Sequence, residues 1–407
     1  MLTGARQVGK STLAQALISP DWPAAYLTLD ERPVLDAALK DPDGLLAGAA
    51  RPLVLDEVQR APDLLRAVKL AIDRDRRNGS FLLTGSAHLG TLRTVSESLA
   101  GRVAVYELHP FSWAELRETA PPTTLRDLFA ARDARELLEL WRGRPVPPDQ
   151  LAEIRRLILR GGYPVPALME DDQARERWFA SYRQTYLERD VRDLADLERM
   201  PEFNRLLALV ALRTGQLLNM ADLARDARLP HSTVRRYLAL LEQTYQVFLL
   251  QPYFVHARKR LVRTPKVYLT DTGLACHLVA AERWETLERQ GRAGAMVETW
   301  AAAELRKLLA AAGPFCRLYF WRTHAGQEVD FLLERGEECV AVEVKLAVRL
   351  DPASLAGLRA CREALGPRLR LAVVLYAGTS LVPLEAATLA VPFAAFFLGL
   401  DGDGTAR

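Results

Sequence analysis

The chain of 407 residues is 49% hydrophobic and 26% charged, with a formal net charge of +3. These proportions exclude a disordered protein, and the length calls for roughly two to four domains. So small a net charge gives no general attraction to nucleic acid, which leaves any such function to a local patch.

After Met-Leu-Thr, residues Gly4 to Thr12 read Gly-Ala-Arg-Gln-Val-Gly-Lys-Ser-Thr, a fit to G-x-x-x-x-G-K-[ST], the Walker A loop. Glycines such as Gly4 and Gly9 let the backbone curl round an anion and aim successive N–H groups, those of Gln7 and Val8 among them, at phosphate oxygens. The following helix adds its positive end to the same place. Lys10 is expected on the β- and γ-phosphates of ATP and Ser11 on Mg2+, with Thr12 completing the motif. The strand that should lead into this loop is almost missing.

Ala25 to Asp30 is a short apolar run ending in acid. Leu53-Val-Leu-Asp56-Glu57 has the form of a Walker B strand, with Asp56 placed to hold Mg2+ and Glu57 to polarise the attacking water. A helix is expected from Pro62 to Arg76, then an apolar strand from Ser80 that ends in hydroxyls. Thr84 or Ser86 there either senses the γ-phosphate or makes a cap or turn. Strand ends of this kind are where open α/β sheets place ligands. Arg102 follows at a strand entrance, as an arginine finger for a neighbouring subunit in a homo-oligomer or as a surface salt-bridge partner.

From Phe111 to Met200 the pattern is helical and highly charged, interrupted by Pro121-Pro122, Arg144-Pro-Val-Pro-Pro148 and Gly161-Gly-Tyr-Pro164. Asn219 to Ala227 and Leu229 to Leu241 then read as helix, turn, helix, followed by two strands of a wing, Gln246 to Gln251 and Lys266 to Thr270. Between His231 and Lys266 stand Arg235, Arg236, Arg258, Lys259, Arg260, Arg263 and Lys266 against one acid, Glu242, a local balance of +6. A recognition helix beside a basic wing places side chains on a groove and on phosphates, so the patch is a candidate nucleic-acid contact, most readily DNA. Such units also serve as interdomain or dimer packing pieces.

Toward the end, a helix from Met296 to Ala311 precedes strands near 316–322, 328–334 and 338–344, a helix from Pro352 to Leu365 and a strand from Leu369 to Tyr376. Glu298 lies early in the first helix, Asp330 within a strand, and Glu343 and Lys345 two apart on one strand face. Carboxylates so gathered bind Mg2+, and a nearby lysine orients or activates water against a phosphodiester. This is the D…E-x-K pattern of restriction-endonuclease-like folds; the plainer reading is an exposed Glu–Lys pair at a sheet edge. Leu389 to Leu400 is too short for the ~20 apolar residues of a membrane span and reads as strand and turn. With no signal peptide and no C-x-x-C pair among Cys276, Cys316, Cys339 and Cys361, a cytoplasmic protein with reduced thiols and no membrane contact is expected.

The order of these parts resembles a family of bacterial and archaeal AAA-type P-loop ATPases. The resemblance is carried by Gly4 to Thr12, Leu55-Asp56-Glu57-Val-Gln59-Arg60, Leu83-Thr84-Gly-Ser86, Leu99-Ala-Gly-Arg102, Gly161-Gly-Tyr-Pro164, Lys266-Val-Tyr-Leu-Thr-Asp271-Thr-Gly273 and Val342-Glu-Val-Lys345. It implies an α/β fold: a P-loop NTPase domain of AAA type in three layers over 1–115, its first strand truncated, then a helical lid or linker over 116–200. A winged-helix domain over 201–284 and a C-terminal restriction-endonuclease-like α/β domain, PD-(D/E)XK, over 285–400 complete it. Asp271 itself reads as a helix cap. Relatives carry further residues before the loop, so a central strand is expected to be absent here or supplied from elsewhere. The expected function is ATP binding and hydrolysis coupled to action on nucleic acid. Two alternatives stand beside it: a nucleotide-switched interaction protein with a non-catalytic C-terminal fold, and a shortened chain unable to bind ATP.

Overall fold

In the computed structural model the described residues are 1–86, 99, 101–187, 200–254, 264–313, 315–351, 355–385 and 387–399. The first sheet is built from β1 (Leu2–Thr3), β2 (Ala25–Thr28), β3 (Leu53–Asp56), β4 (Phe81–Leu83) and β5 (Tyr106–Glu107). Strands β2, β3 and β4 pair in parallel in that order, and β1 pairs in parallel with β5. A bridge from Leu2 to Thr84 and the bond from Gly85 N to Leu2 O at 3.1 Å seat β1 against β4. The strand order is therefore β2-β3-β4-β1-β5.

The expected gap at the centre of this sheet is thus corrected. Two residues hold the position because they are bonded on both sides: Leu108 N donates to Thr3 O at 2.8 Å, and Tyr106 N to Met1 O at 2.9 Å. Next to this, Leu53, Val54 and Leu55 are all 0% exposed, as a parallel strand covered on both faces requires. Helix α1 (Lys10–Ala16) leaves the loop and packs Ala14 against Ala24 and Val54.

Short helices fill residues 113–187. Then come α2 (Met200–Ala211), β6 (Gln216–Leu217), α3 (Met220–Ala227), α4 (His231–Gln243), β7 (Val247–Leu250) and β8 (Lys266–Leu269), with the strands in the antiparallel order β6-β8-β7. Asn219 caps α3 by accepting from Ala221 N and Asp222 N.

The last region runs α5 (Ala293–Ala312), β9 (Arg317–Arg322), β10 (Glu328–Arg335), β11 (Glu338–Lys345), α6 (Ala356–Leu365), β12 (Leu369–Tyr376), β13 (Val382–Glu385) and β14 (Thr388–Pro392). The sheet order is β13-β14-β12-β11-β10-β9. Strands β9 to β11 form an antiparallel meander, while β11, β12 and β14 are parallel. The segment after β14, expected as a turn, is a short helix, Phe393–Phe397. All five of its residues are buried, so it is apolar on every side because it is covered on every side.

One apolar cluster runs through the helical, middle and C-terminal regions, from Trp113 through Tyr237 and Trp300 to Phe396, while the first sheet keeps a core of its own around Leu29, Leu55 and Val68. A third cluster joins Ala5 and Val8 of the loop to Tyr163, Phe179, Tyr182, Tyr245 and Leu274. Beside it Asp271 caps the helix Thr272–Leu278, as expected, accepting from Leu274 N at 2.8 Å and also from Gly162 N at 2.6 Å. Gly161, at φ +71°, has no room for a Cβ against that carboxylate. The Gly161-Gly162 and Asp271 signals are two halves of one contact. Among the described residues no helix is long and apolar enough to cross a membrane.

Candidate functional site

The loop from Gly4 to Gly9 is bent by three positive φ angles, 139° at Gly4, 64° at Gln7 and 96° at Gly9, the alternation that turns backbone N–H groups into an anion cradle. Gly4 must be glycine, since a Cβ there would overlap the carbonyl of Leu108 where the chain leaves β5. Lys10 is 5% exposed, and its ammonium group donates to Gly4 O at 3.1 Å and Ala5 O at 2.8 Å. The Ser11 hydroxyl lies 2.9 Å from both carboxylate oxygens of Asp56.

Asp56, at the end of β3, is 3% exposed and is held by neutral donors: Ser11, the Thr84 hydroxyl, Tyr26 OH at 2.8 Å and Thr28 Oγ1 at 3.4 Å. Burial, and then the bond to Asp56, push the Tyr26 phenol up to about 12, so it stays a donor. Hydroxyl and carboxylate oxygens side by side beneath a phosphate cradle are the donor set Mg2+ takes together with phosphates and water. Next along, Glu57 sits at φ 60°; its N–H donates to Thr84 Oγ1 at 3.1 Å and its carboxylate accepts from Gln59 Nε2. That amide also reaches Ser86 Oγ at 3.1 Å, and Gln59 Oε1 is buried with no partner.

The structure therefore unites Lys10, Ser11, Asp56, Glu57, Thr84 and Ser86. Tyr26 and Thr28 were not singled out from the sequence, and Gln59 entered only as part of the family motif. Tyr26 and Thr28 are two apart on one strand face, and the parallel register sets Thr28 opposite Asp56. Arg102 is placed elsewhere. It pairs with Asp73 at 2.7 Å beside a cavity of about 760 Å³ lined by Met1, Phe81 and Tyr106, where strands β4 and β5 begin, at the end of the sheet opposite the loop.

A second cluster forms in the C-terminal sheet. The β10–β11 register runs to Phe331 opposite Val342, so Asp330 and Glu343 are the next residues on each strand. Asp330 accepts from Val344 N at 2.8 Å. Lys345 Nζ lies 2.6 Å from Glu343 Oε1. From β8, Lys266 Nζ reaches Glu298 Oε1 at 2.8 Å and Glu328 Oε1 at 2.5 Å, and Tyr268 OH donates to Glu298 at 2.6 Å. Burial, then Glu298 and Glu343, raise the Asp330 carboxyl well above the usual range; burial also raises Glu343. Burial works against the Lys266 ammonium, but Glu298, Asp330 and Glu328 more than offset it and hold the charge.

Glu298, Asp330, Glu343 and Lys345 thus share one neighbourhood, in which lysine ammonium groups already pair with Glu298, Glu328 and Glu343. Among the described residues no three His, Cys, Asp or Glu side chains are placed to hold a metal ion as they stand. Lys266 was read as part of the basic patch and is instead spent in this cluster. Of that patch, Arg235 and Arg236 are exposed on α4, while Arg258, Lys259, Arg260 and Arg263 lie outside the described residues.

Residues 1–117 match an AAA domain, residues 151–285 a domain of unknown function (DUF8612) and residues 293–396 another (DUF4143). Uncharacterized proteins of Mycobacterium tuberculosis and Mycobacterium bovis are each 33% identical over 395 residues, covering 96% of this chain and 79% of the relative. The crystal structure of protein VC1899 from Vibrio cholerae matches at 12% identity over 94% of this chain and 89% of that one, with a TM-score of 0.19, too slight to inform the fold.

Proposed function

Since the chain belongs to the family of these two mycobacterial proteins and opens with an AAA domain, we propose that it binds ATP with Mg2+, hydrolyses it, and uses the nucleotide state to govern a C-terminal half that acts on nucleic acid. The observation that carries the first part is Ser11 against Asp56 beneath the cradle of Gly4 to Gly9. Mg2+ bound there supplies neutralisation of charge on the β- and γ-phosphates. Lys10 turns from the Gly4 and Ala5 carbonyls to the phosphates, an exchange of acceptors within reach of one side chain. Asp56, held by its four neutral donors, would face the ion together with Ser11. Glu57 takes the proton of the attacking water, oriented by Gln59.

The nucleic-acid part is supported by connectivity and exposure. Helix, strand, two helices and a hairpin from α2 to β8 follow the order of a winged helix, with Arg235 and Arg236 exposed on α4, the second helix of the α3–α4 pair. The run α5, β9, β10, β11, α6, β12, with acids on α5, β10 and β11, follows the order of nuclease-like folds. In a homo-oligomer Arg102 would serve a neighbouring subunit's site. Turnover of ATP in the presence of Mg2+ tests the central claim. Lys10→Ala is expected to remove binding of a fluorescent ATP analogue, and Glu57→Gln to keep binding while lowering kcat by about 100-fold or more. Wild-type rates in both variants would sink it.

One observation favours a second reading, a nucleotide-switched interaction protein: Lys266 and Lys345 already pair with the C-terminal acids. Branched or supercoiled DNA incubated with Mg2+ separates the two. Binding without cleavage, unchanged by Glu343→Ala, decides for the switch.

A further inference from the structure

We propose that Lys266 is an internal stand-in for a divalent cation: strand β8 inserts its ammonium group among the acids of the C-terminal sheet and keeps a latent metal site closed. The inference rests on the reading of Glu298, Asp330 and Glu343 as an oxygen-ligand site, and it assigns the control of that site.

The geometry is that of a cation held by several acids. The Lys266 side chain is 3% exposed and lies within 2.8 Å of Glu298 and 2.5 Å of Glu328, with Asp330 close enough to help hold its charge. A lone lysine so deeply covered would be costly, and only several close acids offset its loss of water. The donor is foreign to the sheet it serves. It arrives on β8, which is bonded to β6 and β7, and Tyr268 from the same strand face adds a bond to Glu298. One strand therefore supplies two groups that bond Glu298.

An independent feature points to what belongs there. Glu343 is 6% exposed, and its Oε2 is buried with no hydrogen-bond partner, although Glu298 and Lys345 both act on the carboxyl electrostatically. An orphaned carboxylate oxygen beside Asp330 is an unmet demand for positive charge. Withdrawal of Lys266 leaves Glu298 and Asp330 under-neutralised as well, while Glu328 keeps its pair with Arg322. A hard divalent cation bound by oxygen ligands answers all of these at once.

The other end of β8 shows what could draw it out. Two residues beyond Leu269, Asp271 is bonded to Gly162 N, and β8 is paired with β7, before which Gln246 donates to Tyr182 OH at 3.2 Å. Tyr182 OH in turn reaches Arg6 O of the phosphate loop at 3.5 Å. The strand bearing the lock is thus physically continuous with the nucleotide cradle.

Isothermal titration of the full chain with MnCl2, without nucleotide, tests the lock in wild type, Lys266→Met, Lys266→Arg and the double variant Lys266→Met with Glu343→Ala. We expect Lys266→Met to gain one Mn2+ at least about tenfold tighter than anything in wild type, Lys266→Arg to stay closed, and the double variant to lose the gain. A folded Lys266→Met chain that binds Mn2+ no better than wild type overturns the proposal. Should Lys266→Met be unstable, its melting temperature must rise with Mn2+ while that of Lys266→Arg does not; equal response also overturns it. DNA cleavage is read separately. Gain of Mn2+ without cleavage supports the lock and removes the nuclease reading, whereas cleavage with no gain of metal does the reverse.

Discussion

The phosphate loop and the acidic cluster of the C-terminal sheet both gather carboxylate oxygens, and they balance that charge in opposite ways. Asp56 is surrounded by hydroxyl donors from Ser11, Tyr26, Thr28 and Thr84, none of which carries charge. Glu298, Glu328 and Glu343 are paired with Lys266 and Lys345. Neutral donors orient a carboxylate and leave its charge for an arriving ion, whereas an ammonium group consumes that charge. The first region is built to receive a cation with its ligand. The second already contains its cations, so it must move before it can receive one.

The strongest way to break this contrast is to remove one charge from each side. Asp56→Asn should lower ATP turnover by about 100-fold or more, because the carboxylate bonded to Ser11 is lost. Asp330→Asn should leave ATP turnover within about twofold, since Asp330 belongs to the C-terminal acidic cluster and touches nothing in the phosphate loop. Steady-state kinetics at saturating Mg2+ reads both. Equal losses would mean that the two sites act as one.

A finer test removes a neutral donor. Tyr26→Phe deletes one bond to Asp56 without touching charge, a change worth about 1 kcal/mol or fivefold. We expect it in the Mg2+ concentration needed for half-maximal turnover, with ATP analogue binding in EDTA unchanged. An effect on the latter alone would place Tyr26 outside the cation's surroundings.

Legibility in the sequence followed the same contrast. The loop could be read because its chemistry is in the backbone, and a backbone cradle demands glycines at set spacing. The C-terminal strands were read nearly to the residue, with β10 expected at 328–334 and found at Glu328–Arg335, because unbroken apolar runs bounded by Gly336 and Gly366 leave little choice. Lys266 could not be read. It sits at the end of a basic run, and its partner Glu298 is 32 residues away; which lysine is solvated and which is buried is decided by the packing of β8 on α5. Tyr26 was hidden for a similar reason, since its role exists only through the β2–β3 register. Strand β1 was read as truncated, with its place absent or supplied from elsewhere, because two residues show no period at all, and only pairing on both edges makes them a strand.

Whether the two regions are rigidly joined bears on any coupling between them, and their direct contact carries a pH signature. Arg306 of α5 reaches Glu107 of β5 at 3.1 and 3.2 Å, and His109 lies beside them, 3.3 Å from Glu107. Burial first, then Arg306 and Lys307, lower the His109 pKa from 6.5 to about 3; Glu107 does not rescue it, its charge being shared with Arg306. The unfolded chain takes up this proton as pH falls through 6.5, whereas the folded chain refuses it until about 3. The histidine therefore costs nothing above pH 6.5 and progressively destabilises the fold below it, by at most about 1.4 kcal/mol per pH unit. His109→Gln, which cannot charge, should lose less melting temperature than wild type between pH 7.5 and pH 5. If the two curves run parallel, the α5–β5 contact opens readily enough to hydrate His109, and the joint between the nucleotide site and the C-terminal acidic cluster is a loose one.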